Sequence, residues 1–118
     1  SGTDIEQLDL TDPLPVAKQE QIKTGEAYIL TTVEGDTVEK FDIEIEKINK
    51  QNRTGGKGLE IKVTDKRLLE RCGGIVQGMS GSPIIQDGKI GGAVTHVLVN
   101  DPTRGFGIFI ESMLEVTG

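Results

Sequence analysis

The sequence predicts an all-β domain, a barrel or sandwich of six or seven short strands, and three observations carry that prediction. Gly makes up 16 of the 118 residues, about twice the usual share, which implies many turns and close backbone approaches in place of long helices. Apolar residues recur with a period of two in short runs, as they do in strands with one buried face. Turn residues separate those runs at intervals of about 8 to 12 positions. With three Phe, one Tyr and no Trp among 35% hydrophobic residues, the core has to be Ile, Leu and Val. At 118 residues the chain amounts to one domain.

Residues 1–12 are acidic and weakly patterned and read as a lead-in strap, with Ser1-Gly2 a cloning remnant. Residues 13–118 form the domain proper, and Pro13 and Pro15 keep its start extended. Ala27-Tyr28-Ile29-Leu30-Thr31-Thr32-Val33 is β-rich and Glu34-Gly35-Asp36 is a turn. Thr37 to Ile48 then alternates, with Phe41, Ile43 and Ile45 on one face and Asp42, Glu44 and Glu46 on a solvated one, so the two runs predict a β-hairpin. A loop over Asn49 to Gly58 leads to the alternating strand Leu59-Glu60-Ile61-Lys62-Val63. Thr64 or Asp65 can cap a short helix, Lys66 to Arg71, which Gly73-Gly74 stops. Ile84-Ile85 turns at Gln86-Asp87-Gly88 into a strand from Ile90 to Val99; Asn100-Asp101-Pro102-Thr103 reads as a turn, and Phe106 to Ile110 as the last strand.

The 19 acidic residues outnumber the 13 basic ones, for a formal charge of −6. No excess of cationic surface is on offer to phosphates, so nucleic acid is not an expected partner. A single Cys, Cys72, excludes an intrachain disulfide, and one Cys with one His excludes the usual zinc sites. Neither a metal nor a cofactor is expected, and Cys72 reads as a small packed thiol without a role. The chain holds no run of about 18 apolar residues and no apolar leader, so neither a membrane span nor a signal peptide is expected within it. Gly55-Gly56-Lys57-Gly58 lacks the Lys-Ser/Thr pair of a phosphate loop and reads as a surface loop.

The segment that carries chemistry is Gly78-Met79-Ser80-Gly81-Ser82-Pro83. A Ser between glycines in a tight turn lets a substrate carbonyl approach, and the backbone N–H groups of Gly78 and Ser80 can converge on one spot as an oxyanion hole. The segment resembles the nucleophile turn of chymotrypsin-like serine proteases, with Ser82 replacing the second Gly of that pattern. In those enzymes a strand, a hairpin turn and a second strand follow, and Ile84-Ile85, Gln86-Asp87-Gly88-Lys89 and Gly92-Ala93-Val94-Thr95 keep that order. The resemblance implies a chymotrypsin-like β-barrel, mainly the C-terminal barrel of the pair, with Ser80 as nucleophile. It places Thr95 beside the triad, and His96 and Val97 on the strand edge that pairs with substrate. Met79 stands where digestive enzymes carry the Asp that receives a new N-terminus, so that activation switch is not expected.

A longer resemblance runs from Val38-Glu39-Lys40-Phe41-Asp42-Ile43-Glu44-Ile45 through Gly73-Gly74-Ile75-Val76-Gln77-Gly78-Met79-Ser80 to Ala93-Val94-Thr95-His96-Val97 and Val99-Asn100-Asp101-Pro102-Thr103. On these residues the chain is similar to the stage IV sporulation protein B family of signalling serine peptidases, over roughly residues 14–115. The resemblance implies a self-cleaving peptidase, usually preceded by a membrane tether and a PDZ domain. Such a peptidase acts between the forespore and mother-cell membranes on a membrane-bound regulator. It also implies Ser80 and Asp65 as catalytic residues, with the family's catalytic His in a Gly-His element upstream of this chain. Without that base the 118 residues are expected to be inactive alone, because a Ser hydroxyl is a weak nucleophile until its proton is taken. Gly91 departs from the family pattern, where a branched apolar residue is expected.

Alternatives stay open at several residues. Asp65 precedes Lys66-Arg67-Leu68-Leu69 and is either a helix cap or the triad acid. His96, the one His, is a substitute base, a pocket-lining residue or a packed side chain. The rival to an enzyme part is a non-catalytic module that captures an extended peptide along the strand edge 95–99. A barrel lacking its partner barrel would also expose apolar surface on which a homodimer could form.

Overall fold

The alternation of Phe41, Ile43 and Ile45 with Asp42 and Glu44 becomes the long strand β2 (Val38–Ile48) in the computed structural model, which describes residues 14–50, 56–75, 77–98 and 100–117. The three apolar side chains are at most 1% exposed and the two carboxylates face water. β2 pairs with β1 (Gly25–Thr32) as the expected hairpin, in register from Gly25 opposite Ile45 to Thr32 opposite Val38. β3 (Leu59–Val63) keeps the same alternation, with Leu59, Ile61 and Val63 inward. Then come helix α1 (Lys66–Cys72), β4 (Pro83–Gln86), β5 (Lys89–Leu98), β6 (Asp101–Phe109) and helix α2 (Ile110–Thr117).

The strands close into an antiparallel barrel in the order β1-β2-β3-β6-β5-β4, the chymotrypsin-like architecture the sequence predicts. Inward residues from every strand fill it, among them Ile29, Phe41, Ile61, Ile84, Val94 and Phe109. A filled interior suits a small barrel. The seam is thin: β1 meets β4 through Tyr28 opposite Ile85 and Ile29 opposite Ile84. Bulges interrupt β2 between Ile45 and Lys47 and β5 between Val94 and His96, and each bends its strand around the barrel.

The lead-in expected over residues 1–12 lies outside the described residues. Just after it, the backbone around Val16 bridges to Ile90, with Ala17 N donating to Ile90 O at 2.8 Å and Ile90 N to Pro15 O at 2.9 Å. Ile22 packs against Gly91, where an added Cβ would come within 3.3 Å of its side chain. The missing side chain at Gly91 therefore makes room for Ile22.

Two readings change near the C-terminus. β6 begins at Asp101, so most of the stretch read as a turn is strand. Its opening is irregular, as Pro102 requires: Thr103 N is bonded to the Asp101 carboxylate at 3.1 Å, and the register with β5 slips between Val97 and Leu98. Ile110, read as the end of a strand, starts α2 instead. Glu111 of that helix accepts from the Gln19 N–H and ties the helix to the N-terminal segment.

Candidate active site

The chain reaches the Gly78 to Pro83 segment through a short helix whose ends are both chemically specified. Asp65 is the N-cap of α1, taking the Arg67 N–H at 2.9 Å, and Gly73 is the C-cap in the left-handed region, its N–H on Leu69 O at 2.8 Å. Gly74 follows with φ +139°, pressed so close to β6 that a Cβ would lie 2.2 Å from Pro102 O. Ile75 N then bonds Pro102 O at 2.7 Å, and Ile75 and Met79, both buried, anchor the segment in the core.

This anchoring presents Ser80 on a rigid turn. Ser82 N reaches back to Met79 O at 3.0 Å, Gly81 N donates to Val94 O at 2.7 Å, and Val94 N to Ser82 O at 2.9 Å. Gly81 has φ +92°, a conformation that suits glycine. The turn is therefore stitched to Val94 of β5 through Gly81 and Ser82, and Ser80 projects from it exposed to solvent. Its Oγ donates to Thr95 O at 3.4 Å, a long contact that leaves the hydroxyl close to free. Thr95 is the extra residue of the β5 bulge. Its carbonyl faces Ser80, and its hydroxyl donates to Gly56 O in the β2–β3 connection.

Gly78 lies in a short 3₁₀ helix, Gln77–Met79, just before Ser80. His96 is exposed on β5, with Nε2 3.5 Å from where a Gly56 Cβ would be. Val97 packs against the barrel core while its backbone runs along β5.

Asp65 belongs to another cluster. Its carboxylate receives Asp42 N at 3.0 Å, Arg67 N at 2.9 Å, and the Arg67 guanidinium through Nε and Nη2, both at 3.2 Å. These four bonds fill the usual capacity of a carboxylate. Burial alone would raise the Asp65 pKa. The Arg67 side chain and the two backbone N–H groups outweigh it and hold the carboxyl below the ordinary carboxylate value. The structure thus brings Gly78, Ser80 and Thr95 together at one end of β5, while the hydrogen bonds of Asp65 go to Asp42 and Arg67 and share no residue with that group.

Sequence reasoning missed several neighbours. Arg67 and Arg71 both stack on the Phe41 ring, 5.0 and 5.8 Å from its centroid. Arg71 also pairs with Glu39 at 3.0 Å and Glu34 at 3.6 Å, tying α1 to the β1–β2 hairpin. Beside Ser80 lies an open depression of about 470 Å³, bounded by Leu30, Thr32 and Val38 of that hairpin and by Gly78, Ser80 and Pro83 of the turn. Nothing in the spacing of these residues announces that they meet. Among the described residues no group of three His, Cys, Asp or Glu side chains could hold a metal ion, and no helix is long and apolar enough to cross a membrane.

A comparison with family profiles completes the picture: the SpoIVB peptidase S55 profile matches residues 2–114. The chain belongs to the SpoIVB peptidase S55 family. No curated protein matches it. Membership makes the barrel a peptidase domain of the sporulation peptidases, with proteins as its substrates.

Proposed function

We propose that this chain is the nucleophile-bearing barrel of a serine endopeptidase that cleaves by acyl transfer through Ser80. The observation that carries the proposal is the turn itself: an exposed Ser, stitched to β5 by the Gly81 and Val94 hydrogen bonds, in a peptidase family. Ser80 Oγ attacks the scissile carbonyl as a general base takes its proton, and the oxyanion is held by the N–H groups of Gly78 and Ser80. The base returns the proton to the departing amine, and water, activated by the same base, then releases the acyl group. The acyl part of the substrate pairs along the β5 edge at Thr95, His96 and Val97.

The base is an imidazole from outside these 118 residues. His96 is the single His of the chain, and its ring sits over Gly56 while the Ser80 hydroxyl faces the Thr95 carbonyl. Asp65 is the acid that orients the imported imidazole. That role comes from the family resemblance; in the structure the buried carboxylate is held by the Asp42 and Arg67 N–H groups. The Arg67 side chain, 51% exposed, is the ligand that yields its place when the imidazole arrives. By family resemblance, the enzyme cleaves itself and a membrane-bound regulator during sporulation, outside the cytoplasm.

Peptide-library cleavage tests this, comparing the 118-residue chain with the same chain extended upstream through a Gly-His element, each beside its Ser80→Ala variant. Cutting by the extended form alone, abolished by Ser80→Ala, is expected. Cutting by the short form would return the base to this chain, and Ser80-independent cutting would overturn the assignment. Peptide binding along the β5 edge without any cutting would instead favour a non-catalytic peptide-capture module.

A further inference from the structure

The depression beside Ser80 lies across the nucleophile turn from the β5 edge. Ser80 Oγ faces the Thr95 carbonyl on β5, whereas the depression is bounded by the β1–β2 hairpin. The hairpin edge is free to form that boundary because β4 pairs with β1 only through Tyr28 and Ile29. From Leu30 onward β1 leaves the seam, and the gap opens between its end and Pro83. Leu30 and Thr31 are buried, whereas Val38 is half-buried and Thr32 exposed, so Leu30 and Thr31 form the floor and Thr32 and Val38 the rim. Thr32 and Val38 face each other across the hairpin. Arg71, paired with Glu34 and Glu39, holds that hairpin against α1.

A peptide whose acyl segment lies on the β5 edge has its reacting carbonyl at Ser80, and the chain beyond that carbonyl must leave on the other side of the turn. We infer that the depression between Leu30, Val38 and Pro83 is a subsite for an apolar side chain on the leaving-group side of the cleaved bond. The inference rests on the serine-peptidase reading above and adds a specificity to it. The chemistry of the wall selects the side chain: Leu30, Val38 and Pro83 offer apolar surface, and besides Ser80 the polar side chains that line it are the uncharged hydroxyls of Thr31, Thr32 and Ser82. A charged side chain would lose hydration there without an ionic partner, whereas an aliphatic one gains burial. Among the described residues no charged side chain lines the depression.

The test uses the catalytically complete peptidase containing this chain and a peptide library varied at the residues after the cleaved bond, with products read by mass spectrometry. The unsubstituted enzyme is expected to favour Leu, Ile or Val over Asp or Lys at one of these positions by about tenfold or more in kcat/KM. Val38→Phe, which fills the space, should shift that preference toward Gly and Ala. Val38→Glu should reverse it toward Lys. Both substitutions are at a half-buried strand position, and thermal melting shows whether each variant is folded. A flat profile in the unsubstituted enzyme, or a profile that neither folded variant moves, overturns the subsite while Ser80-dependent cutting stands. Absence of Ser80-dependent cutting in the unsubstituted enzyme overturns the parent reading, and the subsite with it.

Discussion

Removing the Asp65 carboxylate perturbs the structure where its consequences can be worked through bond by bond. In Asp65→Ala the helix loses its cap, a change that costs about 0.5–2 kcal/mol in comparable helices. The Asp42 N–H, 3.0 Å from the carboxylate, also loses its acceptor, and an orphaned donor costs about 1–3 kcal/mol where water cannot replace the partner. The guanidinium adds little, since Arg67 is half exposed and such pairs contribute at most about 1 kcal/mol. With partial rehydration of the strand edge, the expected loss is about 2 kcal/mol, or about 8 °C in melting temperature for a domain of this size. Asp65→Asn keeps one oxygen for the Arg67 N–H but turns an NH₂ group toward donors, so it should lose about 1 kcal/mol. Urea unfolding measures both. The pH dependence supplies a second arm. The folded carboxyl titrates below its ordinary value, so its contribution is fully present above the unfolded pKa of about 3.9 and is lost as pH falls through the folded value. The difference between the parent chain and Asp65→Asn should therefore shrink only below about pH 4. An Asp65→Ala variant as stable as the parent, or a difference that persists unchanged into strong acid, would refute this account of the carboxylate.

Four further outcomes are expected. Gly74→Ala should destabilise the domain by more than about 3 kcal/mol or prevent folding, because its Cβ would strike Pro102 O at 2.2 Å; Gly73→Ala, with open space around it, should cost about 1 kcal/mol for its left-handed backbone, and paired melting curves decide. Ser80→Ala should change stability by less than about 0.5 kcal/mol, since the exposed hydroxyl makes one long bond, yet abolish cutting in the complete peptidase. In that enzyme Asp65→Asn, assayed well below its melting temperature, should lower kcat by about ten-thousandfold if it orients the base as triad acids do. Arg67→Gln should leave cutting intact, and a loss there comparable to that of Asp65→Asn would contradict the idea that its guanidinium yields to an imidazole.

Much of the barrel was legible because a half-buried strand writes its environment in a period of two. Leu59-Glu60-Ile61-Lys62-Val63 specifies β3 to the residue, and the hairpin of β1 and β2 follows from Glu34-Gly35-Asp36 and the Phe41, Ile43, Ile45 stripe. The helix at Lys66–Cys72 was legible from its cap and its glycine stop. What escaped depends on partners distant in sequence. The opening of β6 hides behind Pro102, whose carbonyl is tied to Ile75. α2 is held by Glu111 reaching Gln19, 92 positions away. At the site, the Gly78 to Pro83 segment declared its Ser from local chemistry, whereas the β5 bulge that aims the Thr95 carbonyl at Ser80 leaves no mark in composition. Asp65 could be read as a cap, but its bond to the Asp42 N–H across 23 positions could not.

The most direct test of the central claim is covalent trapping of Ser80. The complete peptidase is incubated with a serine-directed phosphonate, digested, and the modified peptide sequenced by mass spectrometry, beside its Ser80→Ala variant. A single adduct on Ser80, absent from the variant and accompanied by loss of cutting, is the predicted result. Cutting that survives saturating phosphonate, or an adduct on another residue with Ser80 unmodified, would contradict Ser80 as the nucleophile.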